Sequence, residues 1–286
     1  MSIKNSLIEQ SHIIEKGLSH IDFRYGFGEL KLNEIRKTLD LYNENDFSKL
    51  QSEYQLALSC LNEYKKKHEE MGGTPKFFNQ IFSKYMHEID TSIEGIAGSS
   101  IVFKTEKVNN KRKDYKTLVE NRVSIREFEN SKVDLSLIEQ VISLSKNTPS
   151  ACNRQSARIK IITNATIINK TIDIQGGFKG YSPPPLLALI TIDSHCFASP
   201  REKNQGYIDG GLFAMSFLNN LEYVGLGACP LHAMFTIEKE KKIRELLNIP
   251  VYEEMILFVA IGNLLEETPY CKSWRKSEKE ITHYIS

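Results

Sequence analysis

The feature that most constrains the fold is a helix-length segment that is apolar on nearly every side. It extends from Gly211 to Val224 and lies between two short apolar runs, LLALITI at Leu186–Ile192 and MILFVAIG at Met255–Gly262. Short runs of this kind are typical of strands covered on both faces. A helix that is apolar all round belongs in a core or an interface. The pattern therefore predicts an α+β unit around one central helix.

Weaker periodic segments surround this centre. The side chains of Arg158–Thr163 alternate between polar and apolar, which predicts a half-buried strand. One helix is expected to start at Asp134 and to end before Pro149. Another is expected over Thr236–Asn248, closed by Pro250.

The chain before about Gly95 is patterned almost wholly as amphipathic helices, with apolar residues repeating every three or four positions. The stretch from Gly95 to Asp114, which contains the polar run NNKRKD, reads as a connector. The sequence has 286 residues, enough for two domains at roughly 150 residues each. We therefore expect an all-helical N-terminal extension and linker over residues 1–110 and a second domain over 111–286.

Charge and cysteine content exclude several classes of protein. Lys and Arg number 37 against 36 Asp and Glu, so no broad positive field exists for nucleic-acid binding. No apolar run approaches the roughly 20 residues of a membrane span. Five scattered cysteines without a CxxC pair, and histidines without metal-ligand spacing, favour a soluble cytoplasmic protein without a metal site.

The first candidate binding group lies in NRVSIREF, residues Asn121–Phe128, here called the arginine segment. If the segment is extended, Arg122, Ser124 and Arg126 share one side. Two guanidinium groups and a hydroxyl suit a phosphate, because arginine donates paired charge-assisted hydrogen bonds. The alternative is a surface ion-pairing segment.

The second group is TPSACNRQ, residues Thr148–Gln155, here called the polar loop. Pro149 ends the preceding helix, while Ser150, Asn153 and Gln155 are able to hydrogen-bond a planar heteroatom ring. The alternative is an ordinary polar connection, in which Cys152 is structural.

Three further groups follow. Asp209-Gly210-Gly211 precedes the apolar helix, and GLGACPLH at Gly225–His232 follows it. The latter lacks the third glycine of a dinucleotide fingerprint and follows a helix, so a Rossmann site is not expected. SWRK at Ser273–Lys276 either completes a phosphate site or is exposed.

The order of these groups resembles the nitroreductase family of flavin enzymes. RxSxR, PSxxNxQ, a DGG-led helix, GLG, IG and SxRK appear in that order between about Tyr115 and Lys276. The resemblance implies a three-layer α+β sandwich around a mixed, mostly antiparallel sheet. It also implies a homodimer formed through the long central helix, with FMN bound at the dimer interface.

The resemblance also implies roles for individual residues. Arg122, Ser124 and Arg126 would hold the flavin phosphate and ribityl chain, closed by Arg275 and Lys276. Pro149, Ser150 and Asn153 would contact the flavin from the partner subunit, with Gln155 supporting their loop. The run Ala228, Cys229, Pro230 and Leu231 would follow the isoalloxazine. Since Pro230 has no N–H, Cys229 or Leu231 would donate to the reactive ring nitrogen.

The function so implied is an FMN-dependent oxidoreductase. Hydride would pass from NADH or NADPH through flavin to an organic acceptor of nitro, quinone or enone type. Since the cofactor performs this chemistry, no catalytic side chain is required. Tyr181 and His232 are candidates for the acceptor pocket, with packing or surface roles as the alternative. A rival function is a non-catalytic flavin-binding sensor or scaffold whose N-terminal helices bind a partner.

Overall fold

The structure is a computed structural model that describes residues 3–197 and 199–285. Two compact units divide these residues. The first unit holds the residues up to Ile101 together with those from Pro269 onward, and the second unit is Val102–Thr268. This division differs from the expected one at residue 110. The C-terminal segment joins the helical unit because Trp274 packs against that unit's core.

The described chain contains helices α1 (Ile3–Leu18), α2 (Glu29–Glu44), α3 (Ser52–Glu70), α4 (Lys76–Ile81), α5 (Met86–Asp90), α6 (Tyr115–Asn121), α7 (Leu135–Ser145), α8 (Ala165–Gln175), α9 (Gln205–Tyr223), α10 (Ile237–Leu247) and α11 (Glu278–Ile281). Its strands are β1 (Ser99–Phe103), β2 (Ala157–Ile162), β3 (Leu186–Asp193), β4 (Gly227–His232), β5 (Glu253–Gly262) and β6 (Glu267–Cys271). None of the helices described combines the length and the apolar character needed to cross a bilayer.

The first unit is helical, as predicted. Leu7, Ile14 and Leu18 lie on one buried face of α1 at helical spacing. His68 is enclosed by aromatic rings, where its Nδ1 donates to the Tyr64 carbonyl at 2.7 Å and its Nε2 accepts from the Gly26 N–H at 3.0 Å. Burial lowers the pKa of His68, which keeps the ring neutral.

The second unit is built on a four-stranded antiparallel sheet in the order β2-β3-β5-β4. The two apolar runs form its central strands β3 and β5, and the alternating segment forms the edge strand β2. Successive side chains of a strand point to opposite faces. Accordingly, Leu186 and Ala188 pack in the core that includes residues of α7 and α9. Leu187 and Leu189 pack in the core that includes residues of α8 and α10, so the predicted three-layer sandwich is confirmed.

The central helix begins earlier than its apolar pattern indicates. Asp209, Gly210 and Gly211 lie inside α9 and do not precede it. The glycines allow close packing of the helix on the sheet, since a Cβ at Gly210 would lie 2.6 Å from Ile256 Cγ1. A Cβ at Gly206 would lie 2.6 Å from Ile192 Cδ1. The expectation that DGG marks the helix entry is therefore wrong.

The segment after the central helix is also more regular than expected. Gly225 has the left-handed conformation of a helix-ending residue, with φ +83°. From Gly227 to His232 the chain then forms the edge strand β4. Pro230 is tolerated there because an edge strand leaves alternate backbone N–H groups outside the ladder.

Candidate functional site

The arginine segment lies alongside β4. Ser124 forms an isolated parallel bridge with Ala228, and the Ile125 N–H donates to the Ala228 carbonyl at 2.9 Å. The Ile125 side chain is buried against Gly227, where an added Cβ would come within 3.1 Å of Ile125 Cγ2. The arginine segment and β4, which are about a hundred residues apart in the sequence, thus lie side by side.

The exposure of the arginine segment differs along its length. Arg122 and Ser124 are half-buried, whereas Arg126 is only 9% exposed. Arginine is rarely buried unless it has an anionic or hydrogen-bonding partner. The alternative of a purely surface ion-pairing segment therefore does not fit Arg126.

The register of β4 decides which of its backbone groups face away from the sheet. In an antiparallel pair, the N–H and C=O of one residue point to the same side, and successive residues alternate. The Ala228 carbonyl binds Ile125, so it points away from β5. Cys229 and Leu231 therefore point their N–H groups toward β5, opposite Ala260 and Phe258.

This register contradicts the expectation that Cys229 or Leu231 donates to a flavin. The alternation directs the backbone of Pro230 and His232 away from β5, and Pro230 has no N–H. The carbonyl of His232 accepts from Gln175 Nε2 at 3.1 Å, which agrees with a carbonyl that points away from β5. The outward-facing N–H beyond Pro230 on β4 therefore belongs to His232.

The polar loop has a backbone conformation that is unusual for its residues. Cys152, Asn153 and Gln155 have φ values of 52°, 56° and 49°. Left-handed conformations at non-glycine residues cost on the order of 1–3 kcal/mol each and concentrate at functional sites. Within the loop, the Gln155 N–H donates to Ser150 Oγ at 2.9 Å, and Gln155 Nε2 donates to the Asn153 carbonyl at 3.2 Å.

Two acidic residues outside the polar loop hold it in place. Asp209 is 3% exposed and accepts the Ala151 N–H at 3.2 and 3.3 Å on its two oxygens. It also accepts from Gln205 Nε2 at 2.8 Å. Glu202 binds the Arg154 guanidinium at 2.6 Å. The sequence singled out Asp209 only as part of the DGG group and did not single out Glu202, because no local pattern relates either residue to the loop.

A cavity of about 260 Å³ adjoins the polar loop. Pro149, Ser150 and Gln155 line it together with Asp209 and Ser156. Ser156 is fully buried, and its Oγ has no hydrogen-bond partner among the described residues. A buried hydroxyl without a partner is costly unless a ligand or water satisfies it. The polar side chains that line the cavity with accessible surface include those of Ser150 and Gln155.

Asp209→Ala is expected to lower the free energy of unfolding by about 1–3 kcal/mol, because it leaves the partly buried Ala151 N–H and Gln205 amide without their acceptor. Urea denaturation measures the change. Asp173→Ala, at an exposed position of α8, is the matched control and should leave stability within about 0.5 kcal/mol. Equal effects of the two substitutions would contradict the anchoring role of Asp209.

The two C-terminal cations of the predicted phosphate site lie in the first unit. Trp274 packs against the core of that unit, and Lys276 Nζ lies 4.0 Å from Glu53 Oε1. The Arg275 guanidinium donates to the Ser273 carbonyl. Arg122, Ser124 and Arg126 belong to the second unit, so a clamp shared with Arg275 and Lys276 stays a prediction.

The two candidate acceptor-pocket residues lie near the connection between α8 and β3. Tyr181 is part of this connection, and the His232 carbonyl is bound by Gln175 at its start. Gln175 ends α8, and its side chain binds both the Gly177 N–H at 2.7 Å and the His232 carbonyl. Tyr181 lies beyond that turn, packs on Phe178 at 5.3 Å between ring centroids, and lines a cavity of about 400 Å³. His232 has an exposed side chain whose Nδ1 accepts the Met234 N–H at 3.3 Å.

Comparison with known proteins identifies the second unit. The model of the Nitroreductase family matches residues 119–177 and 185–263. A nitroreductase-like protein from Streptococcus mutans superposes with a TM-score of 0.54 at 20% identity, covering 60% of this chain and 98% of that one. A nitroreductase family protein from Clostridium difficile 630 gives 0.50 at 21% identity, with 61% and 99% covered. NfrA2 from B. megaterium gives 0.53 at 18% identity, with 63% and 75% covered.

These solved structures share the fold, while the family model matches the sequence of the unit that carries the arginine segment, the polar loop and β4. The helices before residue 90 lie outside the matched residues and form an extension. Through residues 119–263, the chain belongs to the nitroreductase family, a family of oxidoreductases.

Proposed function

We propose that this protein binds FMN and transfers hydride from NADH or NADPH to a small organic acceptor of nitro, quinone or enone type. The observation that carries the proposal is the contact between the arginine segment and β4 in a nitroreductase-family unit. In this contact, the side chains proposed to bind phosphate lie beside the edge of β4 that faces away from β5. One end of a long ligand would be held by charge, and its ring by backbone hydrogen bonds.

The side chains of the arginine segment fit the phosphate end of FMN. Arg122 and Arg126 donate paired hydrogen bonds that match phosphate oxygens, and Ser124 adds a hydroxyl. Because the net charge of the chain is only +1, the attraction for the phosphate would come from this local cluster and not from a general positive field. Burial of Arg126 strengthens it by lowering the local dielectric constant.

The edge of β4 that faces away from β5 is proposed to bind the ring of the flavin. Ala228, Cys229, Pro230 and Leu231 would lie along the isoalloxazine, as the family resemblance implies. His232 is proposed as the donor in place of Cys229 or Leu231, because its N–H points away from β5. Tyr181 and the His232 side chain are proposed to border the space for the acceptor.

The polar loop is proposed to reach the flavin of a second copy of the chain. The face of α9 carries a stripe of exposed apolar residues at helical spacing, Ile208, Leu212 and Met215, which are 54%, 47% and 44% exposed. Such a stripe is typical of a surface buried in an assembly. A homodimer through α9 would cover it and bring Pro149, Ser150 and Asn153 to the partner's site, with Gln155 holding their loop.

When bound, the flavin supplies the hydride chemistry. The chain's own residues bind and orient it, and no side chain is required as an acid or base. The five free cysteines of the described residues support the proposal that the protein works in the reducing cytoplasm.

Anaerobic mixing of the flavin-loaded protein with NADH and with NADPH tests this function. At least one nucleotide is expected to bleach the visible absorption of the flavin within seconds, and a quinone or nitroaromatic is expected to restore it. Bound flavin that neither nucleotide reduces would contradict the oxidoreductase and favour the sensor or scaffold. Protein that fails to take up FMN at all would contradict both.

A further inference from the structure

A buried charged pair joins a lysine that precedes the matched family residues to a glutamate within them. Lys107 and Glu222 are 5% and 6% exposed, and Lys107 Nζ lies 2.6 Å from Glu222 Oε1. Asn110 completes the cluster, since its Nδ2 donates to Glu222 Oε1 at 2.9 Å and to the Glu222 carbonyl at 2.7 Å. All three residues belong to the second unit.

A second hydrogen bond of Lys107 connects this cluster to the arginine segment. Its Nζ donates to the Asn121 carbonyl at 2.8 Å. Asn121 is the last residue of α6, and the final carbonyls of a helix lack partners within the helix. A cation at this position is also favoured by the helix dipole. Lys107 therefore binds the chain at the residue directly before Arg122.

The arginine segment is thus fixed on both sides of Arg122 and Ser124. Lys107 holds it at Asn121, and Ala228 holds it through the Ile125 N–H. The two anchors depend on neighbouring parts of the chain. Glu222, which binds Lys107, lies in the last turn of α9, and Ala228 follows in β4. The direction in which Arg122 leaves α6 is set by these two points.

Stability alone gives little reason to bury such a pair. Replacing a buried ion pair by uncharged residues of similar size is often neutral or stabilising, since desolvation offsets the attraction. What neutral side chains would lose here is the directed hydrogen bond from Lys107 Nζ to the Asn121 carbonyl.

We propose that Lys107 is a positioning residue for the phosphate of FMN: by binding the Asn121 carbonyl it fixes Arg122 in its phosphate-binding direction. The inference rests on the proposed function. Lys107 precedes residue 119, where the family match begins. The residue proposed to position Arg122 therefore lies in the connector, outside the matched residues.

The test compares FMN with riboflavin, which has the same ring and no phosphate. The variant is Lys107→Met with Glu222→Gln, which removes both charges together and keeps an Oε1 acceptor for Asn110. Fluorescence titration is expected to show the dissociation constant for FMN rising about tenfold, the equivalent of one charge-assisted hydrogen bond. The constant for riboflavin should change less than about twofold.

Lys111→Met is the matched control, because Lys111 lies in the same connector but is exposed and binds Gln140. It should leave both constants unchanged. Adding Arg122→Ala tests the route: if Lys107 acts through Arg122, the combined variant should bind FMN no more weakly than Arg122→Ala alone.

Three outcomes would overturn the inference: an unchanged dissociation constant for FMN in the double variant, equal weakening of FMN and riboflavin binding, or full additivity with Arg122→Ala. Failure of the proposed phosphate site has a different signature. In that case the wild-type protein would bind FMN and riboflavin equally.

Discussion

Replacing Arg122 and Arg126 together by alanine is expected to weaken FMN binding about 10²–10⁴-fold and to leave riboflavin binding nearly unchanged. Each contact from a charged donor contributes about 1.5–3 kcal/mol, and each 1.4 kcal/mol corresponds to about a tenfold change in affinity. The effect is specific to the phosphate because both guanidinium groups are proposed to bind it.

Calorimetric titration of the purified variant with each ligand measures this effect. Arg126 is buried, so unfolding curves must accompany the titration, and Arg122→Ala alone serves as the milder variant. Lys111→Ala with Arg112→Ala is the matched control, since it removes the same charge from exposed positions of the connector. If that control weakened FMN binding equally, attraction by general charge would replace the specific clamp. Unchanged FMN affinity of the Arg122 and Arg126 variant would show that the phosphate binds elsewhere.

Leu212→Asp combined with Met215→Asp is expected to give a monomer that retains no flavin after gel filtration. Both side chains lie in the exposed apolar stripe of α9. An unpaired carboxylate buried in an interface costs several kcal/mol, and two of them from each chain would prevent association. Since the polar loop is proposed to complete the site of the partner, the separated chains would lose the flavin contacts that this loop is proposed to make.

Sedimentation velocity and the ratio of flavin absorbance to protein absorbance measure association and retention in one sample. Ile237→Asp is the matched control, because Ile237 is an apolar residue of α10 that is 89% exposed. It should leave both readings unchanged. A wild-type protein that is monomeric and holds flavin would contradict the shared site, and so would a monomeric variant with full flavin content.

The fold followed from sequence wherever one strong physical signal acted locally. The runs at Leu186–Ile192 and Met255–Gly262 are apolar because both faces of β3 and β5 are covered. Thr236 caps α10 with a bond to the Lys239 N–H, and Asn248 ends that helix at φ 50°. Where a local signal is ambiguous, the prediction failed. Glycines at Gly206 and Gly210 weaken a helix by themselves and are explained only by the sheet beneath them.

The candidate site was predicted as residue types, and its arrangement was not. The motif order singled out the arginine segment, the polar loop and Gly225–His232. It gave no information on the register of β4, which excludes Cys229 and Leu231 as outward donors and favours His232. Nor did it indicate that Asp209 anchors the polar loop or that Lys107 binds Asn121.

By itself, the sequence determined the helical first part, the α+β second part with its central helix, and the residues that are proposed to bind a phosphate. These properties are set by hydrophobic period and side-chain chemistry, which are local. Only the tertiary structure decided that Ser124 lies beside Ala228, and that the segment from Pro269 onward joins the first unit. Contacts between distant residues depend on the register and packing of whole elements, and no stretch of sequence encodes these alone.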